Sequence, residues 1–220
     1  MPYIDFITKL HKRTIRDYIG RVVSDDKAEC AVIAKKFGKD YWDGDRKYGY
    51  GGYKYDGRWR VVAEEMVQHY DLKPGNRVLD IGCGKGFLLY ELMQVVPGLE
   101  VFGLDISEYA IENSKEEIRD RLIKGTAQNL PYEDKYFDFV YSIGVFHNLY
   151  VFDLKTAIQE MNRVSKNKSY IMVESYRNEK EKANLLYWQL TCESFYTPDE
   201  WEWLYKEWGY KGDYSYIFFE

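Results

Sequence analysis

The sequence predicts an α/β fold, namely a doubly wound, Rossmann-like, mostly parallel sheet with helices on both faces. The apolar stretch Arg77–Ile81 runs straight into a glycine-rich turn, as a buried strand does before a helix. Apolar strand patterns and amphipathic helix patterns then alternate along the chain, which favours parallel strands joined by right-handed crossovers. The stretch Phe137–Ile143 is almost continuously apolar, as expected for a central parallel strand.

The first part of the chain, residues 1–57, is predicted to form helices followed by an aromatic lid. Apolar residues recur at helical spacing up to about Phe37, with a break expected at Gly20. The segment 41–57 is rich in tyrosine and glycine, which fits neither a regular helix nor a solvated linker. We expect this lid to precede a core of residues 58–220 that carries an aromatic insertion after its fifth strand.

Capping residues and apolar periodicity define the elements of the core. Ser107 and the Thr197-Pro-Asp-Glu200 capping box mark two helix starts. The predicted helices lie at about 58–70, 86–95, 108–120, from 153 onward, and 197–208. The predicted strands lie at about 77–81, 100–104, 122–125, 137–143, 169–174 and 214–219. Only one strand follows the last helix.

The glycine-rich turn predicts the chemistry of the site. A strand, the run Asp-Ile-Gly-Cys-Gly-Lys-Gly at 80–86, and a second strand ending in Asp105 form a unit that cradles a nucleoside. The glycines allow close backbone approach, and the second acid can accept both ribose hydroxyls. A dinucleotide site would need a further glycine where Phe87 stands, which disfavours an NAD-dependent oxidoreductase. That enzyme class and a non-catalytic nucleoside-binding module of the same fold are the alternatives.

The pattern Asp-x-Gly-x-Gly-x-Gly resembles motif I of class I S-adenosylmethionine-dependent methyltransferases, and the resemblance extends from about 58 to 208. It implies S-adenosyl-L-methionine as cofactor and S-adenosyl-L-homocysteine as product. The family usually has seven strands ending in an antiparallel pair, so this chain is expected to lack one C-terminal strand. Relatives often place an acid after strand three, where this chain offers an amide instead. The implied cofactor contacts are Tyr48, Asp80, Gly82, Cys83, Gly84, Asp105, Ile106, Ala127, Gln128 and Ile143.

The resemblance also implies an acceptor site beyond strands four and five. His147 follows strand four and is the candidate general base for an oxygen acceptor, the alternative being a histidine hydrogen-bonded within its loop. Glu174 ends strand five, and it either binds the acceptor or only pairs with Arg177. Aromatic lid residues suit closure over a sulfonium through cation–π attraction and removal of water. The candidate substrate-binding residues are Tyr53, Tyr55, Glu174, Tyr176, Arg177 and Trp188.

We expect methyl transfer to a small polar acceptor, with a hydroxyl oxygen of a sugar- or phosphate-bearing metabolite favoured over a nitrogen. The chain is similar overall to small methyltransferases encoded with bacterial surface-polysaccharide genes, which suggests a role in that synthesis. The 220-residue chain has a net charge of −5, which argues against a nucleic-acid partner. It contains no apolar run of about 18 residues, so no membrane partner is expected. Three widely spaced cysteines favour a reducing, cytoplasmic compartment, and no metal-ligand spacing occurs. The oligomeric state is left open.

Overall fold

A computed structural model describes residues 1–220 and has at its centre a six-stranded sheet in which every pairing is parallel. The strand order is β3-β2-β1-β4-β5-β6, so the chain changes direction across the sheet between β1 and β4. Ligands of open α/β sheets bind at such a switch point, beyond the carboxyl ends of the strands. The strands are β1 (Arg77–Ile81), β2 (Glu100–Asp105), β3 (Leu122–Lys124), β4 (Phe137–Ile143), β5 (Ser165–Glu174) and β6 (Asp213–Ile217).

Helices cover both faces of the sheet, which confirms the predicted doubly wound architecture. The helices are α1 (Thr8–His11), α2 (Tyr18–Val23), α3 (Lys27–Ala34), α4 (Lys39–Asp43), α5 (Arg60–Tyr70), α6 (Phe87–Val95), α7 (Glu108–Glu112), α8 (Glu116–Arg119), α9 (Val151–Val164), α10 (Glu179–Trp188) and α11 (Pro198–Glu207). Two short 3₁₀ helices, Arg46–Tyr48 and Phe146–Asn148, lie at the carboxyl-end side of the sheet. None of the helices combines the length and apolarity that crossing a lipid bilayer requires.

Successive strand residues supply two separate apolar layers. Tyr141 of β4 packs with Met66 of α5 on one face, whereas its neighbour Val140 packs with Leu154 of α9 and Trp201 of α11 on the other. All five side chains are fully buried. Because successive side chains of a strand point to opposite faces, burial on both faces requires the continuous apolar run that the sequence shows in β4.

Two predicted helices differ from those observed for local reasons. Gly20 lies inside α2 instead of breaking a helix, since the Asp17 side chain caps that helix by accepting the Gly20 amide at 2.8 Å. A Cβ atom at Gly20 would lie 2.2 Å from the Asp17 carboxylate, so glycine leaves room for this cap. The predicted helix 108–120 is split into α7 and α8, because Ser114 bonds the Ile111 carbonyl and Lys115 is extended. The two predicted caps at Ser107 and Thr197 are present.

The outer edge of the sheet is formed by β6 and the first residues of the chain. One strand follows the last helix, as predicted, but it runs parallel to β5 and not antiparallel as the family resemblance implies. Tyr3 forms a parallel bridge to Tyr214, in which the Ile4 amide donates to the Tyr214 carbonyl at 2.9 Å. Phe6 is buried against Tyr170 in the main core. The start of the chain thus completes the core, while the division at residue 57 stays a prediction.

Candidate cofactor and acceptor site

Two adjoining cavities lie at the carboxyl ends of the strands, with volumes of about 470 and 180 Å³. They share one wall, so they are two parts of a single cleft. The wall combines strand ends and the N-terminal segment, through Tyr41, Trp42, Tyr50, Gly82, Ile143, Gly144 and Asn148.

The motif I turn needs glycine for steric reasons that differ between its positions. Gly82, Gly84 and Gly86 all have positive φ, at 82°, 55° and 68°. A Cβ atom at Gly82 would lie 2.2 Å from Val145, and one at Gly86 would lie 2.4 Å from Ile118. These two glycines allow close packing of the turn on its neighbours, and with Gly84 they let the chain reverse in the left-handed region.

Asp105 at the end of β2 lies in the smaller cavity. Its Oδ2 accepts the Gly84 amide at 2.6 Å and its Oδ1 accepts the Ser107 amide at 2.7 Å. Burial raises the pKa of Asp105, and these two amides oppose that rise. A carboxylate has about four acceptor positions, so each oxygen can accept a further hydrogen bond. The cavity is also lined by the predicted cofactor contacts Ile106, Ala127 and Gln128, which together form an apolar and amide surface suited to a nucleoside.

The larger cavity begins at the motif I turn. Asp80, Gly82, Cys83 and Gly84 line it. Burial raises the pKa of Asp80 well above its usual range and does the same for the Cys83 thiol. Cys83 is therefore a thiol and not a nucleophilic thiolate at neutral pH.

Trp42 covers the cleft from the N-terminal side. Its ring approaches Gly84 so closely that a Cβ atom there would lie 2.7 Å from it. The indole nitrogen donates to the Ser107 hydroxyl at 2.9 Å and to the Phe37 carbonyl at 3.1 Å. Tyr50 stacks on the ring at 5.2 Å. Residues 37–53, which we call the lid segment, lie over the cleft with Trp42 at their centre. They overlap the stretch 41–57 in which a lid is predicted, and their action as a lid stays a prediction.

Asp43 ties the lid segment to the motif I turn. Its carboxylate accepts hydrogen bonds from Lys85 Nζ at 2.6 Å, from the Tyr109 hydroxyl at 2.9 Å and from the Tyr53 amide at 3.0 Å. The three donors hold the pKa of Asp43 low despite the opposing effect of burial, which is the largest single influence. Lys85, at one of the variable positions of motif I, is therefore one of the residues that hold the lid segment on the motif I turn.

Four predicted site residues do not line either cavity. Tyr48 packs beside Cys30 and Leu190 behind the lid segment. The Tyr55 hydroxyl donates to Glu91 at 2.6 Å. Tyr176 is buried against Leu185 and Phe219. Arg177 pairs with Glu181 and with Glu220. The predicted contacts of these four residues with cofactor or acceptor are thus corrected, because each side chain is occupied elsewhere.

The remaining predicted acceptor residues meet in the larger cavity, where Tyr53, His147, Glu174 and Trp188 all contribute to the lining. Glu174 does not pair with Arg177. Its Oε1 accepts from Gln189, while its Oε2 is buried and has no hydrogen-bond partner. Burial raises the pKa of Glu174 to about 8, against the smaller opposing effects of Gln189 and Arg16.

His147 is hydrogen-bonded to the backbone at the carboxyl end of β5, where Glu174 lies. Its Nδ1 accepts the Glu174 amide at 3.2 Å, so the ring proton lies on Nε2, which is 3.4 Å from Glu174 Oε2. Burial lowers the pKa of His147 to about 3. The ring is neutral and has no free lone pair, which contradicts its predicted role as general base. The contacts of His147 are those of the alternative interpretation, a histidine that forms hydrogen bonds with its surroundings.

The larger cavity also has a cationic part that was not predicted from the sequence. Arg16, Arg21 and Arg46 line it together with Trp188. Arg16 and Arg21 come from a stretch whose sequence shows no motif, and Arg46 comes from the Tyr/Gly-rich stretch. Only the folding of residues 1–57 over the sheet brings the three together. Trp42 was missed as well, although it lies within the aromatic stretch that predicted the lid.

Comparisons with known proteins agree with this geometry. A family model described as "Methyltransferase domain" matches residues 72–209. Among solved structures, YcgJ from Bacillus subtilis has a TM-score of 0.55 at 22% identity, over 66% of this chain and 66% of that one. A putative sarcosine dimethylglycine methyltransferase from Galdieria sulphuraria also has a TM-score of 0.55, at 19% identity, over 69% of this chain and 59% of that one. At these identities the likeness establishes a shared fold.

Curated relatives are similar over a shorter stretch. A demethylmenaquinone methyltransferase of Geobacillus kaustophilus is 35% identical over 116 residues, which are 50% of this chain and 47% of the relative. The protein with the same name in Staphylococcus aureus is 37% identical over 112 residues, or 49% of this chain and 46% of the relative. The chain spans about half the length of the curated relatives it matches. Because the family model covers more than half of the sequence, the chain belongs to the methyltransferase-domain family, within the class I S-adenosylmethionine-dependent methyltransferases.

Proposed function

We propose that this protein transfers a methyl group from S-adenosylmethionine to a hydroxyl oxygen of a small polar acceptor, a sugar- or phosphate-bearing metabolite. One observation carries the proposal: a single cleft has the Asp105 carboxylate at one end and, at the other, the buried Glu174 carboxyl, whose Oε2 has no hydrogen-bond partner. The first group suits a ribose, and the second suits a hydroxyl that must lose a proton.

The residues of the smaller cavity fit the nucleoside part of the cofactor. Asp105 would accept the ribose hydroxyls, Ile106 would pack on the adenine, and Gln128 or the Ala127 amide would contact the adenine edge. Gly82 and Gly84 would let the backbone approach the amino-acid part, and Trp42 would cover it. When bound, the cofactor supplies a methyl group on a positively charged sulfur, an electrophile that aromatic side chains attract.

Glu174 is the group we assign to the proton of the acceptor hydroxyl. Its raised pKa of about 8 makes it a stronger base, once ionised, than an ordinary carboxylate. A positive charge bound nearby favours the ionised form. His147 acts as a positioning residue, because its Nδ1 holds the backbone of Glu174 and its Nε2 faces the carboxyl. Alignment of the two reactants in a closed cleft can supply about 7–11 kcal/mol of the barrier reduction.

We infer the chemical class of the acceptor from the side chains that line the larger cavity and not from the names of the relatives. The relatives are named for demethylmenaquinone, whereas this cavity offers Glu174, arginines and amide groups to its contents. That lining favours a small polar molecule. A sugar-bearing acceptor, which the sequence resemblance to methyltransferases of surface-polysaccharide gene clusters suggests, is part of the same proposal.

The experiment has two parts. Isothermal calorimetry should detect S-adenosylhomocysteine binding to the wild-type protein, with NAD as the competing ligand class in a parallel titration. Release of S-adenosylhomocysteine from S-adenosylmethionine is then measured across sugar phosphates, nucleotide sugars and a demethylmenaquinone analogue. Binding of NAD alone would overturn the cofactor assignment, and turnover of only the quinone analogue would overturn the polar acceptor.

A further inference from the structure

Three arginines surround the ring of Trp188 at the end of α10. Their guanidinium carbons lie 5.5, 4.8 and 5.1 Å from the ring centroid for Arg16, Arg21 and Arg46. All three line the larger cavity. Gln189, the residue after Trp188, donates a hydrogen bond to Glu174, so the cluster adjoins the carboxyl end of β5, where we place the acceptor.

None of these three side chains forms an ion pair with a carboxylate, unlike the arginines at positions 58, 60, 77, 163 and 177. Their hydrogen bonds go mainly to carbonyl groups. Arg16 donates to the carbonyls of His11 and Thr14 at 3.2 and 3.0 Å, and its Nε is buried with no partner. Arg21 donates to the Trp188 carbonyl at 2.8 Å and to the Arg46 carbonyl at 3.2 Å. A guanidinium has five N–H donors, so each keeps donors to spare.

The cavity therefore carries an excess of positive charge. The carboxyl that faces Arg16 is Glu174, which burial keeps largely protonated at neutral pH. His11 contacts Arg16 and is neutral, because burial lowers its pKa to about 4. Burial lowers the pKa of all three guanidinium groups, and the proximity of Arg46 adds to this effect for Arg16 and Arg21. Arg16 and Arg21 are half-buried, and cations in such positions are normally compensated by an anion, yet neither forms an ion pair with a carboxylate of the protein.

We propose that Arg16, Arg21 and Arg46 bind an oxyanion of the methyl acceptor, a phosphate or a carboxylate. The inference rests on the proposed function, since it identifies the chemical class of the acceptor at that same site. The planar guanidinium fork matches phosphate and carboxylate in bidentate geometry, and cation–π attraction to Trp188 helps to hold the forks in place. The acceptor hydroxyl would then lie near Glu174, which shares the cavity with the cluster.

The amino-acid carboxylate of the cofactor is the competing occupant. Lys54 and Arg58, which follow the lid segment in the chain, line the same cavity together with Trp59 and Leu88. They are the cations that we assign to the cofactor's carboxylate. Assignment of the cluster to the acceptor thus predicts that its loss leaves cofactor affinity intact. The cofactor affinity of the cluster variants therefore distinguishes an oxyanion of the acceptor from the carboxylate of the cofactor as the bound group.

The test uses inorganic phosphate and acetate as probes of the protein saturated with S-adenosylhomocysteine, by calorimetry at low ionic strength. Arg46→Gln changes an exposed side chain, so it should fold normally, and Arg21→Gln changes a half-buried one. The control is Arg13→Gln, which removes one positive charge from an exposed position of the same N-terminal segment. We expect binding of the preferred probe to weaken roughly tenfold or more in either cluster variant and to stay unchanged in the control.

Three results would overturn the inference. The first is a wild-type protein that binds neither probe. The second is unchanged probe affinity in Arg46→Gln, and the third is equal weakening in Arg13→Gln. Weaker binding of S-adenosylhomocysteine by the cluster variants, with 5′-methylthioadenosine binding unchanged, would assign the cluster to the cofactor's carboxylate instead. If the wild-type protein does not bind S-adenosylhomocysteine, the proposed function is wrong. Titration of phosphate and acetate into the protein without S-adenosylhomocysteine would still test the anion site.

Discussion

Glu174→Gln removes an ionisable carboxyl from the cavity while keeping the size of the side chain. The pKa of Glu174 is raised from 4.5 to about 8 by burial, so the folded protein retains a proton that the unfolded chain releases between these values. A group of this kind lowers the free energy of unfolding as pH rises, by about 1.4 kcal/mol per pH unit at full effect. From about pH 6 to 8 the wild type should lose roughly 2 kcal/mol through this group, and the variant should not.

The same substitution should remove the proton acceptor of the reaction. The wild-type rate should rise with pH up to about 8, because only the ionised Glu174 can accept the proton. In Glu174→Gln, kcat should fall by a factor on the order of 10²–10⁴, the usual contribution of a general base, and the rise with pH should disappear. Affinity for S-adenosylhomocysteine should be unchanged, since Glu174 lies away from the smaller cavity.

Two assays check this prediction. Urea unfolding at several pH values gives the free energy of unfolding, and release of S-adenosylhomocysteine at saturating cofactor gives the rate. Glu64→Gln is the matched control, because Glu64 is an exposed residue of α5. If Glu174→Gln retains wild-type turnover and pH profile, Glu174 does not accept the proton. If the two proteins lose stability in parallel above pH 6, the carboxyl does not carry the raised pKa.

Four further substitutions test the other parts of the site. Asp105→Asn should weaken S-adenosylhomocysteine binding roughly 10- to 100-fold by calorimetry, because hydrogen bonds to a charged group are lost, and an unchanged Kd would remove Asp105 from the site. Gly84→Ala should destabilise the protein by roughly 1–3 kcal/mol and alter Trp42 fluorescence, since its Cβ would lie 2.7 Å from the Trp42 ring. Gly57→Ala is the control, because a Cβ atom there meets no other atom and should show the backbone strain alone. Lys85→Met should speed proteolysis within residues 37–53 by breaking the ion pair with Asp43, and equal cleavage rates would show that this pair does not hold the lid segment. His147→Ala should lower kcat and move the pKa of the rate profile below 8, because water would replace the ring beside Glu174; a purely structural role would leave that pKa in place.

The fold could be predicted because its determinants are local in the sequence. The apolar run of β4, the glycine turn after β1 and the capping box at Thr197 each specify an element through neighbouring residues. The position of Asp105 in the cleft could be predicted for the same reason, since a strand end in this architecture fixes where a side chain lies.

The acceptor side could not be predicted because it depends on contacts between distant parts of the chain. Arg16 reaches the cavity only because Ile4 pairs with Tyr214 and Phe6 packs on Tyr170. His147 illustrates a different failure. Its position was predicted correctly, but its chemistry is set by the amide of Glu174, a backbone group that no sequence pattern reveals.

The lid segment links the two ends of the cleft. Trp42 covers the cofactor part, and Arg46 lies a few residues further along the same segment, on the acceptor part. Asp105 and Trp42 are both buried, and from this we expect the segment to move aside when a cofactor enters. Its tie to the core runs through Lys85 in the motif I turn that would itself contact the cofactor. Closure after cofactor binding would therefore bring Arg46 to Trp188 at the same time as Trp42 covers Gly84. One movement of the lid segment would then both complete the site for an anionic acceptor and exclude water from the sulfonium.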